Sequence, residues 1–363
     1  MEELEALMIL TDMPLIGPVK VRFLVDYFGS AKKALSASIT ELSRLPGFKQ
    51  KILDQWQEHI QSKKHFANLQ LVEKFHTHLI SFKDPSYPKQ LQNIPDHPPL
   101  LYLKGELKPQ DNQSITIIGT RQATLYGLEM AKKFSYELAQ AGFTIVSGLA
   151  RGIDTAAHIG ALEAGGRTLA IIGSGLANIY PQENYHLADQ IAKKGAVISE
   201  FPMSTPPHRS HFPKRNRLVS GMSLGTLLIE APHKSGAILT IENALEQKKH
   251  IWALPGRVDQ ENFRGNHALI KNKKAILVEN IEDIVQCLDT FCFTTPIEQK
   301  HLDLVHLKQE EIHLLQKLPV EELSIEEIVK RAQLPIQQVN SLLMSLVLKK
   351  IIKEFPGKFY KKI

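Results

Sequence analysis

Long apolar runs are missing from this chain. No stretch approaches the eighteen or more residues that a membrane span needs, so transmembrane helices are not expected. Cysteine is scarce as well: the 363 residues hold two, Cys287 and Cys292, without partners at metal-ligand spacing. That pattern argues against both a disulfide framework and a zinc site, and it fits a reducing compartment. A G-x-x-x-x-G-K-[ST] sequence is absent, which argues against a P-loop NTPase. The opening MEELEALMIL is acidic where a secretory signal would be basic, so the expectation is a soluble, cytoplasmic protein with no membrane partner. An excess of one charge is lacking too. The net charge of +6 is spread evenly along the chain, so clustering must carry any argument about ligands.

Three regions of different character are present. Residues 1–80 read as all-helical, with no convincing strand and with two glycine turns, Leu15-Ile16-Gly17-Pro18 and Leu45-Pro46-Gly47-Phe48, of the helix-hairpin-helix kind. A proline-rich stretch, Asp84 to Pro99, then marks a boundary. From Ser114 the pattern alternates strand and helix. Candidate strands are Ile115–Ile118, Phe143–Ser147, Thr168–Ile172, Ala196–Ser199, Thr226–Ile229, His250–Ala253 and Ala275–Val278, with helices such as Leu125–Ala141 and Gly236–Lys248 between them. Continuous Ile/Val/Leu runs of this kind belong to a mostly parallel, doubly covered sheet, giving an α/β core over 81–290. Residues 297–363 change again. A capping box at Ser324–Glu327, a Leu334-Pro335 turn, a second helix from Ile336 to Lys350 and a hairpin together predict a winged helix. Its second helix opens with Gln337, Gln338, Asn340 and Ser341, an amide-rich face suited to protein contact at least as well as to DNA.

The densest chemistry lies in TPPHRSHFPKRNR, residues 205–217: four cations, two histidines, one phenylalanine and no acid. Arg209, Lys214, Arg215 and Arg217 attract a polyanion, and Phe212 offers a face on which a base can stack. Three strands end in glycine turns, Gly119-Thr120-Arg121, Ser147-Gly148-Leu149-Ala150-Arg151-Gly152 and Gly173-Ser174-Gly175, where backbone approaches a phosphate without side-chain obstruction. A dinucleotide fingerprint is not completed at any of them: the first turn has Arg121 where the second glycine should stand, and the third has Asn178 at the last. No cofactor or metal is therefore expected. Asp154 and His158, four apart, could share a helix face as an acid/base pair, but capping and packing account for them better. Glu200 and Glu230 read as salt-bridge partners that orient arginines.

Taken together, IIGTR (117–121), SGLARGIDTAAHIGAL (147–162), GSGLANIYPQEN (173–184), SEFP (199–202), HFPKRNRLVSGMS (211–223), IEAPHKSGAILT (229–240) and LPGRVDQENFRGNHALI (254–270) resemble the DNA-processing protein A family, also called DprA or Smf. The resemblance covers the whole α/β region and implies an extended Rossmann-like core that dimerises and binds single-stranded DNA without being an enzyme. It further implies protection of incoming DNA in natural transformation, loading of a RecA-type recombinase and displacement of single-strand-binding protein. By the same resemblance Arg121 grips a phosphate, Arg209 leads the strand in, and Phe212 stacks on a base. Backbone amides of the SGLARG turn and of Ser235-Gly236 hold further phosphates, with Asn216, Thr240 and Asn266 in the same motifs. Two positions depart from the family pattern: Ile241 replaces a small alanine, and Lys271-Asn272-Lys273-Lys274 replaces a glycine before the last strand. An enzyme that cleaves nucleotides or transfers phosphoribosyl groups is the competing reading, with Glu230 and Gly225-Thr226 facing the sugar.

Overall fold

We describe a computed structural model that covers residues 2–62, 65–288, 308–318, 323–349, 351–355 and 357–362. Cys292, the segment 289–307 and the far end of the second winged-helix helix at Lys350 lie outside the described residues. Tertiary contacts divide the chain into two units, Met1–Thr294 and Thr295–Ile363.

In the first unit, nine strands among the described residues form one sheet. They are β1 (His78–Ser81), β2 (Leu100–Gly105), β3 (Ser114–Ile118), β4 (Thr144–Ser147), β5 (Thr168–Ile171), β6 (Ala196–Ser199), β7 (Gly225–Leu228), β8 (His250–Ala253) and β9 (Ile276–Leu277). Their spatial order is β1-β2-β6-β5-β4-β3-β7-β8-β9. Pairing from β6 through β9 is parallel throughout, as the continuous apolar runs require, and helices cover both faces. The chain steps outward from β3 through β4 and β5 to β6, then returns past β3 to lay down β7 on the other side. The crevice at the carboxyl ends of β3 and β7 is thus the topological switch point.

Two strands escaped the sequence pattern. β1 pairs antiparallel with β2, and β2 pairs antiparallel with β6. The first eighty residues are therefore not purely helical, because His78–Ser81 is too short and too polar to show a period. The proline-rich stretch is the connection between these two paired strands. The preceding helices share one apolar cluster with the sheet, in which Leu10, Leu24 and Trp56 pack with Tyr102, Ala170 and Val197. Both glycine turns enter helices as read: Gly17 caps the helix Pro18–Phe28, and Lys20 donates to the Gly47 carbonyl at 2.9 Å, tying one turn to the other.

The second unit has the winged-helix arrangement. Helices Gln309–Lys317, Ile325–Ala332 and Ile336–Leu348 pack with strands β10 (Leu323–Ser324), β11 (Ile352–Phe355) and β12 (Phe359–Lys362) around Leu314, Ile328, Val339, Leu343 and Tyr360. The capping box forms, with Glu327 N–H donating to Ser324 Oγ and the Ser324 amide donating to Glu327. Gln337, Gln338, Asn340 and Ser341 are exposed. Lys349 is held by both carboxylate oxygens of Glu311 at 2.6 and 2.8 Å.

Candidate nucleic-acid interface

The basic run is a loop only over residues 205–210. Its last seven residues open the helix His211–Gly221, with Pro213 in the first turn, where its missing N–H removes no helical bond. At 100° per residue the helix sorts its own side chains. Phe212, Arg215, Asn216 and Val219 stand three and four apart on the face that lines the crevice. Lys214 and Arg217 fall on other faces. Lys214 is exposed but does not line the crevice, and Arg217 sits between Asp96, at 3.0 Å, and Glu200. The Arg217 guanidinium is 12% exposed and holds protein carboxylates, which removes it from the phosphate-contacting set.

The crevice is an open groove of about 670 Å³ at the switch point. Its floor and walls come from three strand ends and one helix. Gly119, Thr120, Arg121 and Gln122 follow β3, Gly148 and Ala150 follow β4, and Pro232 to Thr240 follow β7, while the fourth wall is the Phe212 helix with its lead-in Arg209. Gly119 admits no side chain, since a Cβ there would stand 2.7 Å from the Glu230 carbonyl and 2.5 Å from Ile153. Ser235 caps the helix Gly236–Glu246 by accepting from the Ile238 amide, so that helix presents its N-terminal amides and the positive end of its dipole to the groove. Asn216 ties the two walls by donating to the Gly236 carbonyl at 3.3 Å. Thr240 lies buried at the groove wall, one turn into the same helix.

A smaller recess adjoins the groove, lined by Arg121, Arg151, Arg215, Gly173, Tyr180 and Phe212. The Arg121 guanidinium lies 5.1 Å from the Phe212 ring centroid, and the Tyr180 ring lies 5.8 Å from it at 48°. A cation over one ring and a second ring beside it form a platform that can take a phosphate and its base together. Arg151 is exposed and holds Glu183 through two of its nitrogens.

Beneath this platform Arg215 is 4% exposed and donates to the carbonyls of Gly148, at 2.6 Å, and Ile171. Burial lowers its pKa to about 10, partly opposed by Asp154. Asp154 is itself enclosed; burial pushes its carboxyl up, while Arg215 and the turn amides pull it down. It accepts from the Gly148 amide at 3.1 Å and the Ala150 amide at 3.3 Å. Those two amides of the SGLARG turn therefore serve Asp154 and leave phosphate binding to other donors. Arg215 reaches the groove only as a floor.

Several other expected contacts are also structural. Ser147 is fully buried and donates to the Ile117 carbonyl. Gly152, at φ +74°, caps the helix Ile153–Glu163, and a Cβ there would stand 2.4 Å from the Thr120 carbonyl, so it lets the two turns pack. Gly175 is buried with its amide on the Thr205 carbonyl. Asn266 is wholly enclosed, its Nδ2 donating to Leu228, Ile229 and Leu254 carbonyls and its Oδ1 accepting from the Ala231 amide, so a ligand cannot reach it. Glu230 orients no arginine. It accepts from the Thr124 amide and hydroxyl and from Asn262, and Gly225-Thr226 lies at the opposite end of β7, so the arrangement a sugar-attacking carboxylate needs is not assembled.

The Asp154–His158 pair is likewise not catalytic. His158 is enclosed and shares a 2.7 Å hydrogen bond with Thr168, and burial, with Arg215 nearby, lowers its pKa to about 3. The unfolded chain takes up that proton near pH 6.5 and the folded chain does not, so stability falls as pH drops from 6.5 toward 3. The loss from this group is about 2 kcal/mol at pH 5. Urea unfolding at pH 7 and pH 5 checks this: His158→Gln shows a smaller difference between the two pH values than the unaltered protein, and equal differences contradict it.

Two groove residues went unnoticed in the sequence. Tyr180 lies inside GSGLANIYPQEN with nothing local to mark its ring as facing Phe212, and Lys234 stands just before the helix-capping Ser235. A cation in the lead-in to a helix N-terminus was the available signal for the second.

Fold and crevice together define a doubly wound α/β protein with a cation-lined crevice at its switch point. The chain belongs to the DNA recombination-mediator protein A family, whose model matches residues 78–289; a SAM-like helix-hairpin-helix tandem matches residues 7–62. It is similar to protein Smf of Escherichia coli (strain K12), 35% identical over 297 residues that cover 80% of this chain and 79% of that protein. DNA processing protein DprA of Bacillus subtilis (strain 168) is 38% identical over 208 residues, 57% of this chain and 70% of that one. Among solved structures, DNA processing protein A from Streptococcus pneumoniae aligns with a TM-score of 0.68 and 30% identity, over 81% of this chain and 99% of its own. The Helicobacter pylori protein, whose structure concerns its single-stranded DNA binding mode, aligns with a TM-score of 0.53 and 30% identity, over 59% of this chain and 96% of its own. No helix among the described residues is long and apolar enough to cross a membrane.

Proposed function

We propose that this protein binds single-stranded DNA in the switch-point crevice, holding phosphates through Arg121, Arg209, Lys234 and the Ser235-Gly236 helix start while bases stack on Phe212 and Tyr180. The observation that carries the reading is the Arg121–Phe212–Tyr180 platform beside a cationic groove whose one lining acid among the described residues, Asp154, is turned to backbone amides. The Helicobacter pylori relative, whose structure concerns single-stranded DNA binding, supports the choice of ligand. Phosphate contacts carry no base information, so binding is independent of sequence. In this reading the protein is a non-enzymatic mediator that works in the cytoplasm as a homodimer through its core, protects incoming DNA in natural transformation, loads a RecA-type recombinase and displaces single-strand-binding protein.

Gel shifts with single- and double-stranded oligonucleotides of equal length test the reading. Single strands are retained more tightly and nucleoside monophosphates are not turned over; preferential duplex binding or hydrolysis overturns it. Removing residues 295–363 costs less than about tenfold, or roughly 1.4 kcal/mol, because the amide-rich helix contributes little phosphate affinity. A larger loss relocates the main site.

Phe212→Ala separates stacking from packing. The ring is half-buried at the mouth, and its truncation lowers single-strand affinity by about 1–3 kcal/mol with an almost unchanged melting temperature. A destabilised variant of normal affinity removes Phe212 from the site.

A further inference from the structure

The Phe212 helix is held at two levels. Its middle and far end are anchored from the sheet and the neighbouring helix: Thr116 donates to the Val219 carbonyl at 2.7 Å, and Gln247 donates to the Arg217 carbonyl at 2.8 Å. The half that carries Phe212 is held by the side chains of Arg215, Asn216 and Arg217. Arg217 reaches Asp96 through Nε and Glu200 through Nη2. Asp96 lies between Pro95 and His97, and both of these are gripped by one residue of the N-terminal helical region. Arg22, in the helix Pro18–Phe28, donates through Nη2 to the Pro95 carbonyl and through Nη1 to the His97 ring. His97 also shares a 3.0 Å hydrogen bond with the Ile94 carbonyl. Two arginines, one from the helical region and one from the DNA-facing helix, thus hold three consecutive residues between them.

We propose that Asp96 is a positioning residue for DNA binding, through which the N-terminal helical region fixes the Phe212 helix at the crevice. The helical region then sets affinity without touching DNA. This rests on the single-stranded DNA reading above. Charge and positioning make opposite claims here. Asp96→Asn removes a negative charge, which alone strengthens attraction for a polyanion, whereas loss of the clamp weakens binding.

The test is titration of the full chain with a fluorescein-labelled oligo-thymidine, comparing Asp96→Asn alone and combined with Phe212→Ala. The expected result is about fivefold weaker binding for Asp96→Asn, shrinking to less than about twofold when Phe212 is already alanine, since coupled residues are non-additive. Asp96 is 46% exposed, which favours a folded variant. Should thermal unfolding show otherwise, Arg22→Gln removes the same clamp and leaves the crevice cations intact, with the same loss that vanishes without Phe212. Unchanged or tighter binding, or equal loss in both backgrounds, overturns the inference alone. Absence of binding by the unaltered protein overturns the single-stranded DNA reading and this inference with it.

Discussion

Arg215→Met is expected to destabilise the protein by about 3–5 kcal/mol, because it strands the buried carboxylate of Asp154 and leaves two buried carbonyls without a donor. The Arg215 side chain is 4% exposed and bonds the carbonyls that end β4 and β5, so it fastens the DNA-facing helix to the strand ends beneath the crevice. Asp154→Asn in the Arg215→Met background recovers part of the loss, since the amide oxygen still accepts from the Gly148 and Ala150 amides and no longer carries a buried charge. Urea denaturation of the three variants checks this. A cost below about 1 kcal/mol for Arg215→Met places Arg215 among ordinary surface cations.

How much was legible in the sequence follows from what a one-dimensional pattern can carry. β6 and β8 fall on the residues expected, and β3, β4, β5 and β7 within one residue at each end, because each is a short apolar run closed by a glycine or polar turn. β2, with Leu100 to Leu103 directly behind Pro98 and Pro99, was hidden by its breakers. The capping box at Ser324 and Glu327 was readable because both partners are local. The candidate site was legible as chemistry and not as direction. Sequence shows that Lys214, Arg215, Asn216 and Arg217 are polar and adjacent, but only helical rotation shows that Asn216 reaches the groove, Arg215 lies beneath it and Arg217 turns to Asp96 and Glu200. Asn266 was placed at the site for its motif, and its four backbone partners are distant in sequence, so nothing local revealed that its amide was already occupied.

The central claim is that a cationic crevice holds the phosphates of a single strand, and a salt titration of oligonucleotide affinity tests it most directly. The three groove cations Arg121, Arg209 and Lys234 neutralise about three phosphates and give a log–log slope of roughly −2, at about −0.7 per contact. A tenfold rise in salt then weakens binding by about 100-fold. Arg121→Ala makes the slope shallower by about 0.7 and weakens every sequence alike. The prediction is a steep slope that flattens in Arg121→Ala; a slope near zero, or one that Arg121→Ala leaves unchanged, contradicts the account.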